Sequence, residues 1–296
     1  GGIIVNNRMQ TTDPSIYAGG DCVELANLVS GETLLMPLGS LANRQGRIIA
    51  ANINGGNSRF PGTVGTFCIK IFDMGFARSG LTVQQAKAAG FDPVHAIVAQ
   101  HDRAHFYPDA KLMYITLIAD RKSRRVLGIE AGGMQRDAVK ARVDAVAPLL
   151  SRNTDTDEIC SLETGYAPPC ASAMDIINNA GNALDNILAG KNRPVDVADF
   201  LREFKGGSGR VLDVSESNEP TQFADEHEHR RISIPQSELR ERYKEIPPDE
   251  PLFLMCGTGV RSYEAQVFLD GKGIMNTRNI QGGYGMLRAT APDFIQ

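Results

Sequence analysis

The residue with the clearest chemical setting is Cys256. It follows the apolar run Leu252-Phe-Leu-Met255 and precedes a glycine-rich turn, after which a helix is predicted over residues 262–269. In open α/β sheets, ligands bind where a strand ends in such a turn. The N–H groups of the turn and the positive end of the helix dipole both stabilise a thiolate. The sequence therefore predicts that Cys256 attacks a sulfur donor and holds the transferred sulfur as a persulfide.

The residues around Cys256 suit this chemistry. Gly257 and Gly259 let the turn close, and Arg261 can offer positive charge to an anionic donor. We take Cys256 and Arg261 as catalytic candidates, and the remaining loop positions as sulfur-binding candidates: Gly257, Thr258, Gly259, Val260 and Ser262. Two other interpretations stay open. A lone cysteine at a strand end is commonly a core residue, and the glycines can form a phosphate loop, although the third glycine of the dinucleotide fingerprint is absent.

The segment C-G-T-G-V-R-S resembles the active-site loop C-x-x-G-x-R-S of single-domain rhodaneses. Three further segments resemble that family's L-D-V strand, its I-N-I-P segment and its late G-G turn: Val211-Leu-Asp-Val214, Ile232-Ser-Ile-Pro235 and Gln281-Gly-Gly283. The chain departs from the family at Ser215, where arginine is usual, and over residues 228–232, which follow G-H-I-x-G-A only loosely. The resemblance implies a sulfurtransferase whose sulfur carrier is Cys256.

A second candidate site lies near the start of the chain. Residues 15–21 read as a strand that delivers Asp21 to a turn at Gly20, where the carboxylate can accept hydrogen bonds from hydroxyl groups. An ordinary turn is the alternative. The segment T-T-D-P-S-I-Y-A-G-G-D resembles the second flavin-binding motif of pyridine nucleotide-disulfide oxidoreductases. That resemblance implies that Asp21 holds the ribityl chain of FAD.

The helix after Pro37 resembles the next element of that family, whose N-terminal end lies against the flavin. A helix N-terminus there would stabilise negative charge on a reduced flavin. Together with Gly20 and Asp21, the cofactor candidates are therefore the residues of its first turn: Leu38, Gly39, Ala42 and Asn43. The apolar residues further along, Ile48, Ile49 and Ile53, are expected to pack in the core.

Two tyrosines complete the candidates. A phenol beside prolines sits on a rigid backbone and can donate a hydrogen bond, although core tyrosine is the default interpretation. His105-Phe-Tyr-Pro-Asp109 and the Y-A-P-P segment that begins at Tyr166 resemble motifs of the coenzyme A-disulfide reductase branch. The resemblance implies a homodimer in which Tyr107 and Tyr166 reach across to the active site of the second subunit. Met174 stands where the branch usually carries lysine.

Periodicity places these residues on three units. Strands are predicted over residues 2–6, 15–21, 67–72, 94–99, 112–119, 210–214, 232–234, 252–255 and 276–280, and helices over 38–53, 82–89, 137–150 and 172–189. The fold class is thus α/β and α+β. Residues 1–58 are expected to be the end of a FAD-binding Rossmann-like domain, 59–190 an α+β dimerisation domain with a linker helix, and 191–296 a small parallel α/β rhodanese-like domain.

Composition limits the partners. The net charge of -4 comes without a basic block, which argues against nucleic acid, and no apolar run is long enough to span a membrane. Five irregularly spaced cysteines without a C-x-x-C pair indicate a reducing compartment, the cytoplasm, and no metal site. No G-x-G-x-x-G occurs, so the NAD(P)H site, the adenosine half of the FAD site and a flavin-facing cysteine are expected outside this sequence, which begins with Gly-Gly and is compatible with a fragment.

These observations predict one main function and two alternatives. In the main one, NAD(P)H reduces FAD, which reduces a cysteine that cleaves the disulfide or persulfide of a small thiol such as coenzyme A, and Cys256 binds or delivers the sulfane sulfur. One alternative is a flavin NADH oxidase or peroxidase of the same superfamily. The other is a non-catalytic dimerisation and sulfur-carrier module.

Overall fold

The computed structural model describes residues 1–219 and 225–295. The first 63 residues hold little regular structure: a short antiparallel strand pair and one helix, namely β1 (Glu24–Ala26), β2 (Thr33–Leu35) and α1 (Gly39–Ile53). Helix α1 forms where the 38–53 periodicity predicts it. Its buried Leu41 packs in a small core with Met9, Val23, Leu25 and Phe60.

The strands predicted over residues 2–6 and 15–21 are wrong. Each region makes only an isolated bridge, Ile3 to Val23 and Gln10 to Tyr17. Ile4 is 70% exposed, and Ile53, expected in the core, is 64% exposed. A strand needs a neighbouring strand along its length, and none runs beside these residues in the part of the chain that the structure describes.

Residues 67–188 form a five-stranded antiparallel sheet with helices packed on it. Its elements are β3 (Phe67–Ile71), β4 (Met74–Gly80), α2 (Val83–Ala88), β5 (Pro93–His101), β6 (Leu112–Asp120), β7 (Val126–Gly133), α3 (Arg136–Leu150), α4 (Thr156–Cys160) and α5 (Ile176–Leu188). The strand order is β3-β4-β7-β6-β5. Helix α3 packs against β4 and β7, and α5 packs against β5 and β6, around fully buried residues such as Ile115 and Leu184.

Strand β4 is absent from the sequence prediction because its residues are poor strand formers. It contains Gly75 and Gly80, and glycine is depleted in strands. The structure explains Gly75: a Cβ atom there would lie 2.7 Å from the side chain of Arg136, in the first turn of α3. The buried positions Gly75, Ala77 and Ser79 of β4 are thus small, and a helix lies directly on this strand.

Helix α5 begins at Ile176, four residues later than predicted. Asp175 caps it by accepting a hydrogen bond from the N–H of Ile177 at 3.1 Å. The same buried carboxylate pairs with Arg142 of α3 at 2.8 Å. Because Asp175 is fixed by both interactions, residues 172–175 stay outside the helix.

Residues 194–295 form a parallel five-stranded sheet with helices packed on it. The elements are β8 (Pro194–Val195), α6 (Val197–Lys205), β9 (Arg210–Asp213), α7 (Asp225–Glu228), β10 (Arg231–Ser233), α8 (Gln236–Arg242), β11 (Leu252–Met255), α9 (Val260–Asp270), β12 (Thr277–Ile280) and α10 (Gly283–Thr290). The strand order is β10-β9-β11-β12-β8, and the sequence pattern did not predict the short edge strand β8. One side of the sheet is filled by an aromatic cluster of Phe200, Phe204, Phe253 and Phe294.

The two sheets are joined along β5. The N–H of Ile97 donates to the Gln281 side chain at 2.8 Å, and His95 contacts the carboxylate of Asp196 at 3.0 Å. Burial alone would raise the pKa of Asp196, but hydrogen bonds from His95 and Gln281 hold it below its ordinary value. The mixed architecture of an antiparallel and a parallel sheet confirms the predicted fold class. Within the described residues, no helix is both long and apolar enough to cross a bilayer.

Candidate functional site

Cys256 lies directly after β11, the central strand of the parallel sheet, as the sequence predicts. Helix α9 starts two residues earlier than expected, at Val260, with Gly259 as its N-cap residue. Gly259 has a φ of 96°, a left-handed conformation that glycine adopts at little cost. This glycine allows the chain to turn from strand to helix around the thiol.

The thiol of Cys256 is fully buried and has polar contacts on one side. The N–H of Gly259 donates to its Sγ at 3.1 Å, and the hydroxyl oxygen of Ser262 lies 3.4 Å away. Ser262 in turn donates to Oδ1 of Asn279 at 2.7 Å, and Nδ2 of Asn279 donates to the carbonyl of Gly259 at 3.1 Å. Because a hydroxyl has one proton, Ser262 can accept from the thiol while it donates to Asn279, or turn that proton to a thiolate.

The Cys256 loop, residues 256–262, is held from the other side by the start of α10. Tyr284 and Gly285 donate their N–H groups to the carbonyls of Cys256 and Gly257, each at 2.9 Å. A Cβ atom on Gly283 would lie 2.1 Å from the carbonyl oxygen of Cys256. The G-G turn is therefore required because the chain passes directly against the loop.

Arg261 forms an ion pair with Glu219 at 2.6 Å. Its guanidinium lies beside the loop: a Cβ atom on Gly257 would be 3.6 Å from Nη2. The hydrogen bond to Glu219, with smaller attractions from Cys256 and Glu216, raises the pKa of Arg261. The sequence predicts donor binding by the positive charge of Arg261. In the structure, the carboxylate of Glu219 pairs with that charge.

A buried charge network lies at the end of the neighbouring strand β9. Asp213 accepts hydrogen bonds from Arg231 at 2.9 Å and from the hydroxyl of Tyr284 at 3.0 Å. Ser215, at the position where rhodaneses usually have arginine, is buried, and its hydroxyl has no hydrogen-bond partner among the described residues. Asp213 thus connects Arg231 of β10 with Tyr284, the residue whose N–H group binds the carbonyl of Cys256.

A cavity of about 230 Å³ lies between the two sheets and reaches the loop at Thr258, Gly259 and Val260. Its walls come from β5 and α5 on one side and from α9 and β12 on the other. It does not extend to Cys256 itself. The lining of this cavity therefore gives no direct route to the buried sulfur.

The candidate tyrosines lie elsewhere, at one end of the antiparallel sheet. The N–H of Ala104 donates to the carbonyl of Pro168 at 3.1 Å, which brings the two tyrosine segments together. Tyr166 is 54% exposed and lines a cavity of about 340 Å³ with His105 and Phe106. Tyr107 lies outside this cavity. Its ring packs against that of Phe106, with 5.3 Å between the two ring centroids.

The flavin candidates lie together in the first 63 residues. The N–H of Gly20 donates to Gln45 of α1 at 2.6 Å, and a Cβ atom on Gly20 would contact Ala42. Asp21 is exposed, and Asn43 donates to the carbonyl of Gly39 within the helix. The N-terminus of α1 has neither a capping side chain nor an acidic residue in its first turn. A cavity of about 670 Å³ reaches it at Leu38 and Gly39.

Three sets of residues thus occupy three places, and the structure does not bring them into one site. Sequence reasoning missed Glu219, Asn279 and Tyr284. Asn279 lies near the C-terminal end of β12, the strand next to β11, which was a usable signal, because side chains at neighbouring strand ends meet. Glu219 lies in the irregular segment after β9, where no pattern indicates which residue faces the loop.

Known proteins resemble this chain in both parts. Residues 66–176 match the dimerisation domain of pyridine nucleotide-disulphide oxidoreductases. A CoA-dependent NAD(P)H sulfur oxidoreductase from Pyrococcus abyssi is 33% identical over 175 residues, which are 59% of this chain and 39% of that protein. A NAD-dependent persulfide reductase from A. fulgidus superposes with a TM-score of 0.88 at 36% identity, over 96% of this chain and 50% of that one.

The Bacillus anthracis protein CoADR-RHD, in its reduced form, superposes with a TM-score of 0.86 at 34% identity, over the whole of this chain and 52% of that one. The chain therefore spans about half the length, or less, of the proteins that it resembles.

Proposed function

We propose that the chain is the C-terminal part of a flavin-dependent NAD(P)H oxidoreductase that reduces coenzyme A disulfide or persulfide. In this proposal residues 1–58 complete the FAD-binding domain, residues 59–190 form the homodimer, and residues 191–296 act as a rhodanese. Sulfur passes through a persulfide on Cys256. The names of the similar proteins, a CoA-dependent sulfur oxidoreductase and a persulfide reductase, support this reading.

The observation that carries the sulfur-transfer part of this proposal is the hydrogen bonding at Cys256. A core cysteine needs only apolar neighbours, whereas this thiol receives an N–H at 3.1 Å from the residue that caps helix α9. The thiolate is the form that attacks sulfur, and the N–H group of Gly259 is in place to donate a hydrogen bond to it. The loop glycines and Ser262 keep these groups in place.

The sulfur transfer follows from these contacts. The thiolate of Cys256 attacks the outer sulfur of a persulfide, the new S–S bond forms, and the old one breaks. The donor leaves as a thiolate and takes the proton from the new persulfide. The N–H of Gly259 and the hydroxyl of Ser262 can stabilise the negative sulfur throughout.

The residues near α1 fit a flavin. The uncapped helix N-terminus can face negative charge, and the exposed carboxylate of Asp21 can accept hydrogen bonds from hydroxyl groups. We propose that Gly20, Asp21 and the first turn of α1 hold FAD, which when bound supplies two-electron transfer between NAD(P)H and a disulfide. Tyr107 and Tyr166 are proposed to reach the second subunit of the dimer, where their phenols can hydrogen-bond coenzyme A.

The upstream reading frame provides the test. We expect it to encode a G-x-G-x-x-G segment and a cysteine that faces the flavin. The protein purified from the full frame should oxidise NADH or NADPH faster with coenzyme A persulfide or disulfide than with oxygen. Cys256→Ser is the control, because it should leave coenzyme A disulfide reduction intact. A protein without flavin, or one that prefers oxygen, would contradict the proposal.

A further inference from the structure

The ion pair between Arg261 and Glu219 bears on which sulfur donor reaches Cys256. The guanidinium lies against Gly257 of the Cys256 loop, where an incoming anion would meet it. Glu219 already holds it at 2.6 Å, and both side chains are only partly exposed, at 26% and 38%. An anionic donor that uses Arg261 must therefore displace a carboxylate or bind beside it.

Other charges near the loop do not offset this carboxylate. Arg231 is engaged by Asp213 at 2.9 Å and by Glu228 at 2.8 Å. Ser215, which replaces the arginine usual in rhodaneses, brings no charge. Glu216 adds a further negative charge near Arg261, although its own hydrogen bonds go to Ser237. The described residues at this end of the sheet thus pair each of these two cations with carboxylates.

We propose that Glu219 determines donor specificity, favouring thiol persulfides, whose reacting end carries less negative charge, over the dianion thiosulfate. The inference rests on the proposed sulfur transfer through Cys256. With thiosulfate, the thiolate of Cys256 takes the outer sulfur, the S–S bond breaks, and sulfite leaves with two negative charges. With a persulfide, the leaving group is a single thiolate. Repulsion by Glu219 therefore slows the first reaction more than the second.

The experiment measures how fast Cys256 forms a persulfide in a single turnover with two donors, thiosulfate and the persulfide of N-acetylcysteamine. Glu219→Gln keeps the size of the side chain and removes its charge. We expect it to raise the thiosulfate rate relative to the persulfide rate by roughly tenfold, the effect of one charge near a partly exposed site. Glu216→Gln is the matched control, and its effect on this ratio should be clearly smaller.

Each outcome has a distinct meaning. An unchanged ratio in Glu219→Gln overturns the proposal, and so does an equal fall with both donors, because Glu219 would then only position Arg261. If the unsubstituted protein loads sulfur from neither donor, the sulfur-transfer function itself fails and the inference falls with it. If the unsubstituted protein loads sulfur but Glu219→Gln does not change the ratio of the thiosulfate rate to the persulfide rate, the sulfur-transfer function stands. The proposal that Glu219 selects the donor then fails.

Discussion

At the scale of single residues, the candidate site depends on how closely the backbone approaches Cys256. Two glycines are needed there for different reasons. Gly259 must adopt a left-handed conformation to cap α9, and Gly283 must let α10 pass against the carbonyl of Cys256. Side chains at these two positions would disturb the N–H donor to the thiol and the hydrogen bonds that hold the loop.

A comparison with Gly273 separates the effect of the close approach at Gly283 from the effect of its positive φ. Gly283 and Gly273 both have positive φ, 52° and 84°, but only at Gly283 would a Cβ atom meet another atom, at 2.1 Å. Gly273→Ala should lower the free energy of unfolding by about 1–2 kcal/mol, the cost of a left-handed residue. Gly283→Ala should cost clearly more and slow persulfide formation on Cys256. Equal costs in chemical denaturation would contradict the close approach.

The sequence predicted Cys256, Arg261 and the loop, and the structure assembles these residues around one thiol. It did not predict their partners. Glu219 and Tyr284 are distant in sequence, and their contacts depend on how the chain returns to the end of the sheet. The catalytic and cofactor roles of all these residues remain predictions.

At the scale of elements, periodicity located the four longest helices, α1, α3, α5 and α9, and the inner strands of the parallel sheet. It failed where neighbours decide the structure. Residues 2–6 are apolar but have no sheet to join, and β4 is a strand although glycine-rich, because it lies between β3 and β7 under α3. Helix α5 starts at a cap that is fixed by an arginine from another helix.

One contact between elements links the antiparallel sheet to the Cys256 loop. The hydroxyl of Tyr114 in β6 donates to the carbonyl of Gly285 at 3.0 Å, and the N–H of Gly285 donates to the carbonyl of Gly257 at 2.9 Å. The phenol of Tyr114 is protonated at neutral pH and can donate, and burial raises its pKa further.

Tyr114→Phe should therefore lower the free energy of unfolding by about 1 kcal/mol, the usual net value of one hydrogen bond, and slow persulfide formation severalfold. Tyr243→Phe is the control, because the ring of Tyr243 contacts Phe268 rather than the loop. If both variants form persulfide as fast as the unsubstituted protein, the hydrogen bond of Tyr114 does not support the Cys256 loop.

At the scale of the whole molecule, the antiparallel sheet, in a region that matches the dimerisation-domain model of the pyridine nucleotide-disulphide oxidoreductases, is joined to a parallel-sheet domain with a buried, hydrogen-bonded cysteine. The contacts of β5 with Asp196 and Gln281 fix the position of the antiparallel sheet relative to the parallel-sheet domain. This arrangement suits a protein that reduces a thiol-bound sulfur at one site and carries sulfur at another. The claim on which the sulfur-transfer proposals depend is that Cys256 carries sulfur.

The most direct test is the intact mass of the chain after incubation with N-acetylcysteamine persulfide. We predict a mass increase of one sulfur atom, located on Cys256, that cyanide removes as thiocyanate. Cys256→Ser should lose it, whereas Cys160→Ser, which removes another cysteine, should retain it. A thiol at Cys256 that takes up no sulfur, or sulfur that remains in Cys256→Ser, would contradict the account.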